Sequence, residues 1–294
     1  MDPTTVRMNR RSFLKKGAMI LAGTIAAPSA AFAYSRYLEP SWLEVKQVAL
    51  TLPRLPAAFD GLRIVQFSDV HLGYHFDPVK LDNLVTRINA LAPDLVCFTG
   101  DLFDFAVGGD GPRTIQALSR IEAKLGKWAV LGNHDYYAGF RNVQKLLIQG
   151  GFHVMMNESA PVEKDGSKLW MAGVTDMNEG KPDLDSALLK AKTKPGKEDF
   201  VLLLSHAPDF ADKALGYSVD LQLSGHSHGG QVRLPFFGAV RTPPNGHKYV
   251  AGHYILGDGK LQVYTNRGIG VTIYPARFLC RPELTVMTLA RKHQ

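Results

Sequence analysis

Five apolar segments of the chain each end in side chains that could bind a metal ion. The residues at the five segment ends are, in chain order, Asp69-Val70-His71, Gly100-Asp101, Gly132-Asn133-His134-Asp135, Ser205-His206 and Gly225-His226-Ser227-His228. Carboxylate oxygens and imidazole nitrogens together suit zinc, manganese or iron, whereas calcium and magnesium prefer oxygen ligands alone. The residues suffice for two ions, which could clamp both oxygens of an in-line phosphoryl displacement.

Each of these residues also has an ordinary structural interpretation. Asp69 could stabilise a turn, Asn133 could cap a helix, and His206 could be a buried histidine with a hydrogen-bond partner. Glycines flank His226 and His228, so this pair alone could lie in a surface turn. The repetition at five successive segment ends favours one shared site over five separate explanations.

The segments before these residues have the pattern of buried strands, and helices alternate with them. Strands are predicted at 63–69, 94–99 and 128–131, and helices at 78–91, 115–125 and 140–149. This alternation predicts an α/β fold in which helices cover a sheet. Ligands in such folds bind at the carboxyl ends of the strands, which is where the candidate ligands stand.

The second half of the chain is rich in predicted strands and has few convincing helices after residue 214. These strands are expected at 169–174, 200–204, 221–224, 262–265 and 284–289, and an earlier one at 42–52. A second sheet packed on the first accounts for them. Residues 238–259, rich in glycine, proline and tyrosine, are the least predictable part.

Residues 1–33 have the features of a twin-arginine export signal. Arg10 and Arg11 precede a modestly apolar run at 17–27, which is followed by Ala31-Phe32-Ala33. The alternatives are an amphipathic helix of the domain and an uncleaved membrane anchor, although the run is shorter than the roughly 20 residues that a spanning helix needs. We expect export by the twin-arginine machinery to the periplasm or cell envelope, with membrane attachment if the signal is retained.

Composition indicates a globular protein, and the charge does not support nucleic-acid binding. Hydrophobic residues make up 45% of the chain and charged residues 21%, and the net charge is +7. Five basic side chains and one acidic side chain lie within residues 1–33, so residues 34–294 carry only +3. We therefore expect no nucleic acid as a partner. Cys97 stands in an apolar run and is expected to be a buried free thiol, and two cysteines imply no disulfide framework.

The series of candidate ligands resembles the motifs of the calcineurin-like metallophosphoesterase family over about residues 62–230. The export signal, Asn266-Arg267-Gly268-Ile269-Gly270 and Pro275-Ala276-Arg277-Phe278 further resemble exported bacterial phosphodiesterases related to UDP-2,3-diacylglucosamine pyrophosphatases. The resemblance implies an α/β (α+β) fold of four layers, with two packed mixed β-sheets flanked by α-helices. We divide the chain into an export signal at 1–33, a linker with the first strand at 34–60 and a phosphoesterase domain at 61–294.

The resemblance also implies a role for each candidate residue. One ion would be held by Asp69, His71, Asp101 and His228, and the other by Asp101, Asn133, His206 and His226. Asp101 would bridge two divalent transition-metal ions, manganese, zinc or iron. His134 would protonate the leaving oxygen or bind the phosphoryl group, and Asp135 would orient the ring of His134. Asp104 stands where purple acid phosphatases have a tyrosine, so a ferric–tyrosinate centre is not expected.

The implied activity is hydrolysis of phosphodiester or pyrophosphate bonds, lipid-linked ones included, by attack of a metal-bridging hydroxide. A broad phosphomonoesterase and, in another class, a scaffold or envelope-binding protein on the same fold remain alternatives. Arg267 and Arg277 could bind a phosphate through bidentate contacts or could be surface arginines. The apolar run at 234–240 could receive a lipid chain, touch a membrane or cell-wall surface, or pack on the second sheet.

Overall fold

Six α-helices and fourteen strands form within residues 10–190 and 193–292, the part of the chain that the computed structural model describes. The helices are α1 Arg10–Ala33, α2 Pro78–Ala90, α3 Gly111–Ser119, α4 Asn133–Tyr137, α5 Phe140–Gln149 and α6 Ala211–Ala214. The strands are β1 Glu44–Leu52, β2 Arg63–Phe67, β3 Leu95–Phe98, β4 Lys127–Ala129, β5 Phe152–Val154, β6 Glu158–Lys164, β7 Ser167–Gly173, β8 Val201–Leu204, β9 Leu221–Ser224, β10 Arg233–Leu234, β11 Gly238–Ala239, β12 Gly252–Leu256, β13 Leu261–Thr265 and β14 Glu283–Arg291.

The first sheet has the strand order β1-β14-β2-β3-β4-β5. Strands β2 to β5 run parallel to one another, so the carboxyl ends of β2, β3 and β4 lie at one edge. Strand β14 is antiparallel to β2 and parallel to β1, which it pairs along its whole length from Glu44 opposite Glu283 to Leu52 opposite Arg291. The last strand of the chain therefore lies inside the first sheet.

The second sheet has the order β12-β13-β9-β8-β7-β6. Its four inner strands are parallel, and the edge strands β12 and β6 are antiparallel to their neighbours. The sequence did not predict these two edge strands, because polar and apolar residues do not alternate clearly in them. β6 contains Pro161 and exposes Glu158, as edge strands tolerate.

Three apolar cores separate four layers. Ile64 and Cys97 of the first sheet pack against Leu202 and Leu223 of the second, and Cys97 is a buried free thiol, as predicted. The other face of the first sheet is covered by α2, α3 and α5, whose buried side chains include Leu84, Leu118 and Leu147. The outer face of the second sheet is covered by α6 and nearby helical turns, including Phe210, Ala214 and Leu188. The predicted fold of two packed mixed sheets flanked by helices is confirmed.

Local interactions set the ends of the helices beside the first sheet. The carboxylate of Asp77 accepts the N–H of Lys80 at 2.8 Å, and Pro78 occupies the first turn, so α2 begins as predicted. Helix α3 ends at Ser119 rather than at residue 125. The side chain of Asn89 donates to the carbonyl of Arg120 and accepts the N–H of Glu122, which holds this segment in a loop.

The segment before β1 is anchored to the domain, although the sequence suggested a surface linker at 34–40. Glu39 is fully buried, and its carboxylate accepts the N–H groups of Leu279, at 2.9 Å, and of Cys280. The carbonyl of Ser35 accepts the N–H of Arg277 at 2.9 Å. These bonds join the segment to the loop between β13 and β14.

Helix α1 has solvent-facing apolar side chains, among them Phe13, Leu14 and Phe32, each exposed by more than 60%. Residues 1–9, where the predicted signal begins, lie outside the described residues. Within 10–190 and 193–292, no helix is both long enough and apolar enough to cross a bilayer.

Candidate metal centre

The structure brings six of the seven predicted ligand residues together where the two sheets meet, and Asn133 directly precedes His134, whose N–H donates to Asp101. All seven follow the carboxyl ends of β2, β3, β4, β8 and β9, and each is buried. The residues are Asp69, His71, Asp101, Asn133, His206, His226 and His228. Parallel pairing within each sheet places these strand ends side by side, which explains how residues distant in sequence converge.

Five of these residues have a left-handed backbone. The φ angles are 52° at Asp69, 51° at His71, 61° at Asp101, 67° at His226 and 51° at His228. Such angles are uncommon outside glycine and cost on the order of 1–3 kcal/mol each, so surrounding contacts must hold them. The clustering of this strain at one place is typical of a functional site.

Asp69, His71 and His228 form the first half of the site. Nε2 of His71 lies 3.0 Å from Nε2 of His228, which in turn lies 3.4 Å from Oδ1 of Asp69. One ligand atom from each residue lies within 4.8 Å of the others. Burial, followed by the nearby His71, lowers the pKa of His228 well below its ordinary value, so its imidazole is neutral.

Asp101, His206 and His226 form the second half. Oδ2 of Asp101 lies 3.2 Å from Nε2 of His206, which lies 3.1 Å from Nδ1 of His226. Burial and His206 lower the pKa of His226 to about 3. Burial alone would lower the pKa of His206, but Asp101 and Asp69 raise it to about 10. The carboxylates around His206 favour a positive charge at this place, and a bound cation would supply it.

The carboxylate of Asp101 lies between the two halves. Its Oδ2, close to His206, is also 3.7 Å from Nε2 of His71, and its Oδ1 accepts the N–H of His134 at 2.9 Å. Burial would raise the pKa of Asp101, but His206 and His71 hold the pKa below its ordinary range. Asp101 is therefore an anion that both halves share.

These residues fit divalent transition-metal ions. Among the described residues, Oδ1 of Asn133 is one of the buried side-chain atoms without a hydrogen-bond partner. Buried polar atoms are normally paired, so this oxygen is available to a cation. Neutral imidazoles, carboxylates and an amide oxygen form the donor set that zinc, manganese and iron accept.

His134 lies beside the two halves rather than within one of them. Its Nδ1 is 2.7 Å from the backbone oxygen of Asp104 and 3.3 Å from Oδ1 of the same residue, and its ring centre is 4.6 Å from that of His71. Burial would lower the pKa of His134, but Asp104 and Asp101 raise it to about 9. The exposed rings of Phe105 and Tyr137 flank it at 5.6 and 5.3 Å.

The carboxylate that contacts His134 is that of Asp104, not that of Asp135 as the sequence suggested. Asp135 accepts the backbone N–H groups of Gly132, Asp101 and Leu102 at 3.0, 2.9 and 2.8 Å. It thus fixes the strained backbone at Asp101. Sequence reasoning considered Asp104 only as the residue that replaces the tyrosine of purple acid phosphatases, and it predicted no contact between Asp104 and His134.

Both arginines proposed as phosphate ligands are occupied by protein groups. Arg277 is fully buried, and its guanidinium donates to the carbonyls of Gly270 at 2.5 Å and Cys280 at 3.1 Å, among others. Arg267 donates to Glu44 at 2.8 Å and to Glu283 at 2.5 Å. The interpretation of either as a free bidentate ligand is therefore corrected: Arg277 holds the backbone beside the site, and Arg267 is paired with two glutamates.

A glycine-rich loop supports Asp69 from the side opposite the strand. The N–H of Gly270 donates to the carbonyl of Asp69 at 2.7 Å, and Ile269 donates to Ser68 at 2.9 Å. Gly268 has φ 72°, and a Cβ atom there would lie 2.7 Å from Cβ of Asp69. Only glycine fits this close approach.

Comparisons with known proteins agree with this geometry. Residues 62–230 match the family described as calcineurin-like phosphoesterase. The chain is 39% identical over 292 residues to the uncharacterized metallophosphoesterase YkuE of Bacillus subtilis (strain 168), covering 96% of this chain and 98% of that protein. It is 30% identical over 289 residues to the phosphodiesterase YaeI of Escherichia coli (strain K12), covering 96% and 99%.

Two further proteins are similar over much of the chain. The UDP-2,3-diacylglucosamine pyrophosphatase LpxG of Chlamydia trachomatis is 27% identical over 322 residues, covering 91% of this chain and 95% of that protein. The solved structure of the NAD nucleotidase NadN of Haemophilus influenzae superposes with a TM-score of 0.48 and 15% identity, covering 71% of this chain and 45% of that chain. The family match covers more than half of the chain, and the chain belongs to the calcineurin-like phosphoesterase family, as a metal-dependent phosphoric ester hydrolase.

Proposed function

We propose that this protein hydrolyses phosphodiester or pyrophosphate bonds with two divalent transition-metal ions. The observation that carries the proposal is the position of Asp101, whose Oδ2 lies 3.2 Å from His206 and 3.7 Å from His71. A carboxylate shared by two groups of ligands suits two ions, because its charge offsets their repulsion. The same position would be unnecessary for a single ion.

The two halves of the site divide the ligands between the two ions. One ion is assigned to Asp69, His71, Asp101 and His228, and the other to Asp101, Asn133, His206 and His226. Two ions bound there would activate water at neutral pH and stabilise the negative charge on the reacting phosphoryl group. Manganese, zinc and iron all suit these ligands.

His134 is assigned to the leaving group. Its Nδ1 is held by Asp104, which leaves Nε2 as the atom that can donate a hydrogen bond to the substrate. The carboxylate of Asp104 raises the pKa of His134, which favours the protonated imidazole that a proton donor requires. Its side chain is 14% exposed, so a substrate can reach the ring.

The relatives support a diester or a pyrophosphate as the substrate. YaeI is named as a phosphodiesterase and LpxG as a UDP-2,3-diacylglucosamine pyrophosphatase, and both align over more than nine-tenths of this chain. In a pyrophosphate between a nucleoside and a lipid-bearing sugar, each phosphorus carries one ester bond and one anhydride bond. Two of its oxygens are therefore substituted, as they are in a phosphodiester. We therefore include lipid-linked pyrophosphates of the UDP-diacylglucosamine type among the substrates.

We also propose that residues 1–33 direct export by the twin-arginine route to the periplasm or cell envelope. The outward-facing apolar side chains of α1 support this role, because a helix of the folded domain would bury them. Fractionation of cells producing the wild-type chain and an Arg10→Lys/Arg11→Lys variant tests the route. Equal export of the two proteins would contradict it.

Metal analysis and a pair of model substrates test the proposed activity. Purified protein should contain about two transition-metal ions per chain, and it should hydrolyse bis-p-nitrophenyl phosphate faster than p-nitrophenyl phosphate. Asp101→Asn should lose metal and activity, whereas Asp110→Asn, in an exposed turn, should lose neither. A preference for the monoester would favour a phosphomonoesterase, and a metal-loaded protein that hydrolyses neither ester would favour a scaffold.

Lipid-linked substrates require a separate assay. A panel of UDP-linked diacylated sugars, UDP-linked sugars without acyl chains and soluble diesters should show the highest kcat/KM for the acylated compounds. Equal values with and without acyl chains would remove the lipid-linked part of the proposal and leave the diesterase part intact.

A further inference from the structure

An exposed apolar hairpin follows the last histidine of the metal centre. Strands β10 and β11 pair with Leu234 opposite Gly238, and the residues between them form the tip. Phe236 is fully exposed, and Phe237 is 86% exposed. Large apolar side chains grouped in this way on a surface mark an interaction site.

The loop before β14 lies against the base of this hairpin. The side chain of Gln231 donates to the carbonyl of Thr272 at 2.8 Å, and the N–H of Phe278 donates to the carbonyl of Gln231 at 2.9 Å. The loop exposes two further large side chains, Ile273 at 68% and Tyr274 at 64%. The hairpin and the loop thus present apolar groups side by side.

The segment before β1 adds a third part to the same region. Its Ser35 is bonded to Arg277 of the loop, and Arg281 donates to the carbonyl of Trp42 at 3.0 Å while its guanidinium lies 4.2 Å from the centre of the Trp42 ring. Tyr37 is 66% exposed and Trp42 54%. We refer to six side chains as the apolar ridge: Tyr37, Trp42, Phe236, Phe237, Ile273 and Tyr274.

A cationic cavity of about 370 Å³ borders the apolar ridge. Among the described residues, its lining includes Tyr37 of the ridge and the cations Arg36, Lys80 and Arg87, and no aspartate or glutamate. The nearby acidic residue of α2, Asp82, is paired with arginines of the next helical segment. The positive charge of the cavity is therefore left for a ligand from outside the chain.

We propose that the apolar ridge and the cationic cavity together dock this protein onto an anionic lipid bilayer. The aromatic and aliphatic side chains of the ridge would enter the boundary between headgroups and acyl chains, while the cations would bind lipid phosphates. Cations alone would also attract a soluble anionic polymer, but such a polymer would leave Phe236 and Phe237 in water. A bilayer satisfies both halves of the surface.

Docking in this way would place the metal centre next to the membrane. Gly229 and Gly230 connect His228 to Gln231 at the base of the hairpin, and Ile269 and Gly270 line the cavity while bonding the strand end that carries Asp69. A lipid-linked phosphate could then reach the centre from the bilayer. This consequence rests on the proposed function, whereas docking itself does not require turnover.

Trp42 provides an internal probe for the test. It belongs to the ridge, while Trp128 and Trp170 are only 5% and 4% exposed. The full chain is mixed with vesicles of phosphatidylglycerol and phosphatidylcholine or of phosphatidylcholine alone. Phosphatidylglycerol should shift the tryptophan emission to shorter wavelength and reduce quenching by acrylamide. If the protein sediments with the vesicles but its tryptophan emission does not change, another segment, such as α1, tethers it to the bilayer. That result would overturn the proposal.

Two variants separate the apolar and electrostatic parts of the surface. Phe236→Ser/Phe237→Ser should lower the vesicle partition coefficient about tenfold or more, because much of the inserted apolar area is removed. Lys80→Glu/Arg87→Glu should weaken binding to phosphatidylglycerol vesicles, and added salt should weaken binding of the wild type. The matched controls on α5, Ile148→Ser, at a side chain 54% exposed, and Lys145→Glu, should bind as the wild type does.

Hydrolysis of soluble bis-p-nitrophenyl phosphate is measured in parallel for every variant. All four should retain wild-type turnover, since none alters the metal centre. Wild-type binding by both surface variants would overturn the docking proposal even if the diester is hydrolysed. Normal docking by a protein that hydrolyses no diester would instead contradict the proposed function.

Discussion

Oδ1 of Asp104 lies 2.9 Å from Nδ1 of His71. The same oxygen lies 3.3 Å from Nδ1 of His134, so one carboxylate contacts both a proposed metal ligand and the proposed proton donor. Burial would raise the pKa of Asp104, but its bonds to His134 and His71 hold the pKa to about 2. Asp104 is thus an anion that sets the orientation of both rings and the tautomer of His71.

Asp104→Asn should weaken the metal centre and slow turnover together. The amide keeps the size of the side chain but removes the charge that fixes His71 and His134. Loss of such a partner typically costs roughly 10- to 100-fold in metal affinity or activity. Metal titration followed by activity at saturating metal measures the two effects separately. Asp110→Asn serves as the control, and wild-type values for both quantities in Asp104→Asn would contradict the assignment.

His134→Ala should keep the bound metal and lose turnover. A positioned acid contributes roughly 10²- to 10⁴-fold, and the loss should be smaller for a diester with a good leaving group, such as p-nitrophenolate, than for an alkyl diester. Metal content is measured beside kcat for both substrates. Loss of one ion per chain would instead make His134 a ligand, since it also lies within reach of His71 and Asp101.

Arg277→Ala should lower stability rather than substrate affinity. The guanidinium is buried and donates to several backbone carbonyls, and each carbonyl left without a partner costs roughly 1–3 kcal/mol. Urea unfolding should show a loss of about 2–5 kcal/mol. The exposed Arg241→Ala is the control. If KM rises while the free energy of unfolding stays unchanged, Arg277 contacts the phosphate directly, as the sequence suggested.

Asp135→Ala should damage the site through the backbone. Three N–H groups, those of Asp101, Leu102 and Gly132, lose their acceptor, and the left-handed conformation of Asp101 loses its support. We expect both a lower melting temperature and weaker metal binding. Asp135→Asn keeps an acceptor oxygen and should retain more of each. If the variant keeps the wild-type melting temperature and metal affinity but has a lower kcat, Asp135 acts on His134, as the sequence suggested.

The elements that carry the ligands were predictable because their signals are local. A short apolar run followed by Asp69 or His206 shows both the strand and the position of the side chain at its end. The alternation of these strands with helices then predicts an α/β fold. The fold and the convergence of six of the seven residues therefore agree with the sequence.

The supporting contacts were not predictable because they join segments far apart in sequence. No local pattern shows that Asp104 faces His71, or that Glu39 is buried against Cys280. The prediction for Arg277 was wrong for the same reason, because the burial of an arginine against distant carbonyls becomes visible only in three dimensions. The edge strands β6 and β12 lack a continuous apolar face and so gave little signal.

The position of β14 has a consequence for how the chain folds. This strand separates β1 from β2, so neither can complete its hydrogen bonds on that side until residues 283–291 have been synthesised. Contacts between such distant segments slow folding, because a long loop must close before the contacts form. A nascent chain that stops short of β14 would expose two unpaired strand edges, which are sites of aggregation. Completion of the first sheet therefore waits until residues 283–291 have been synthesised.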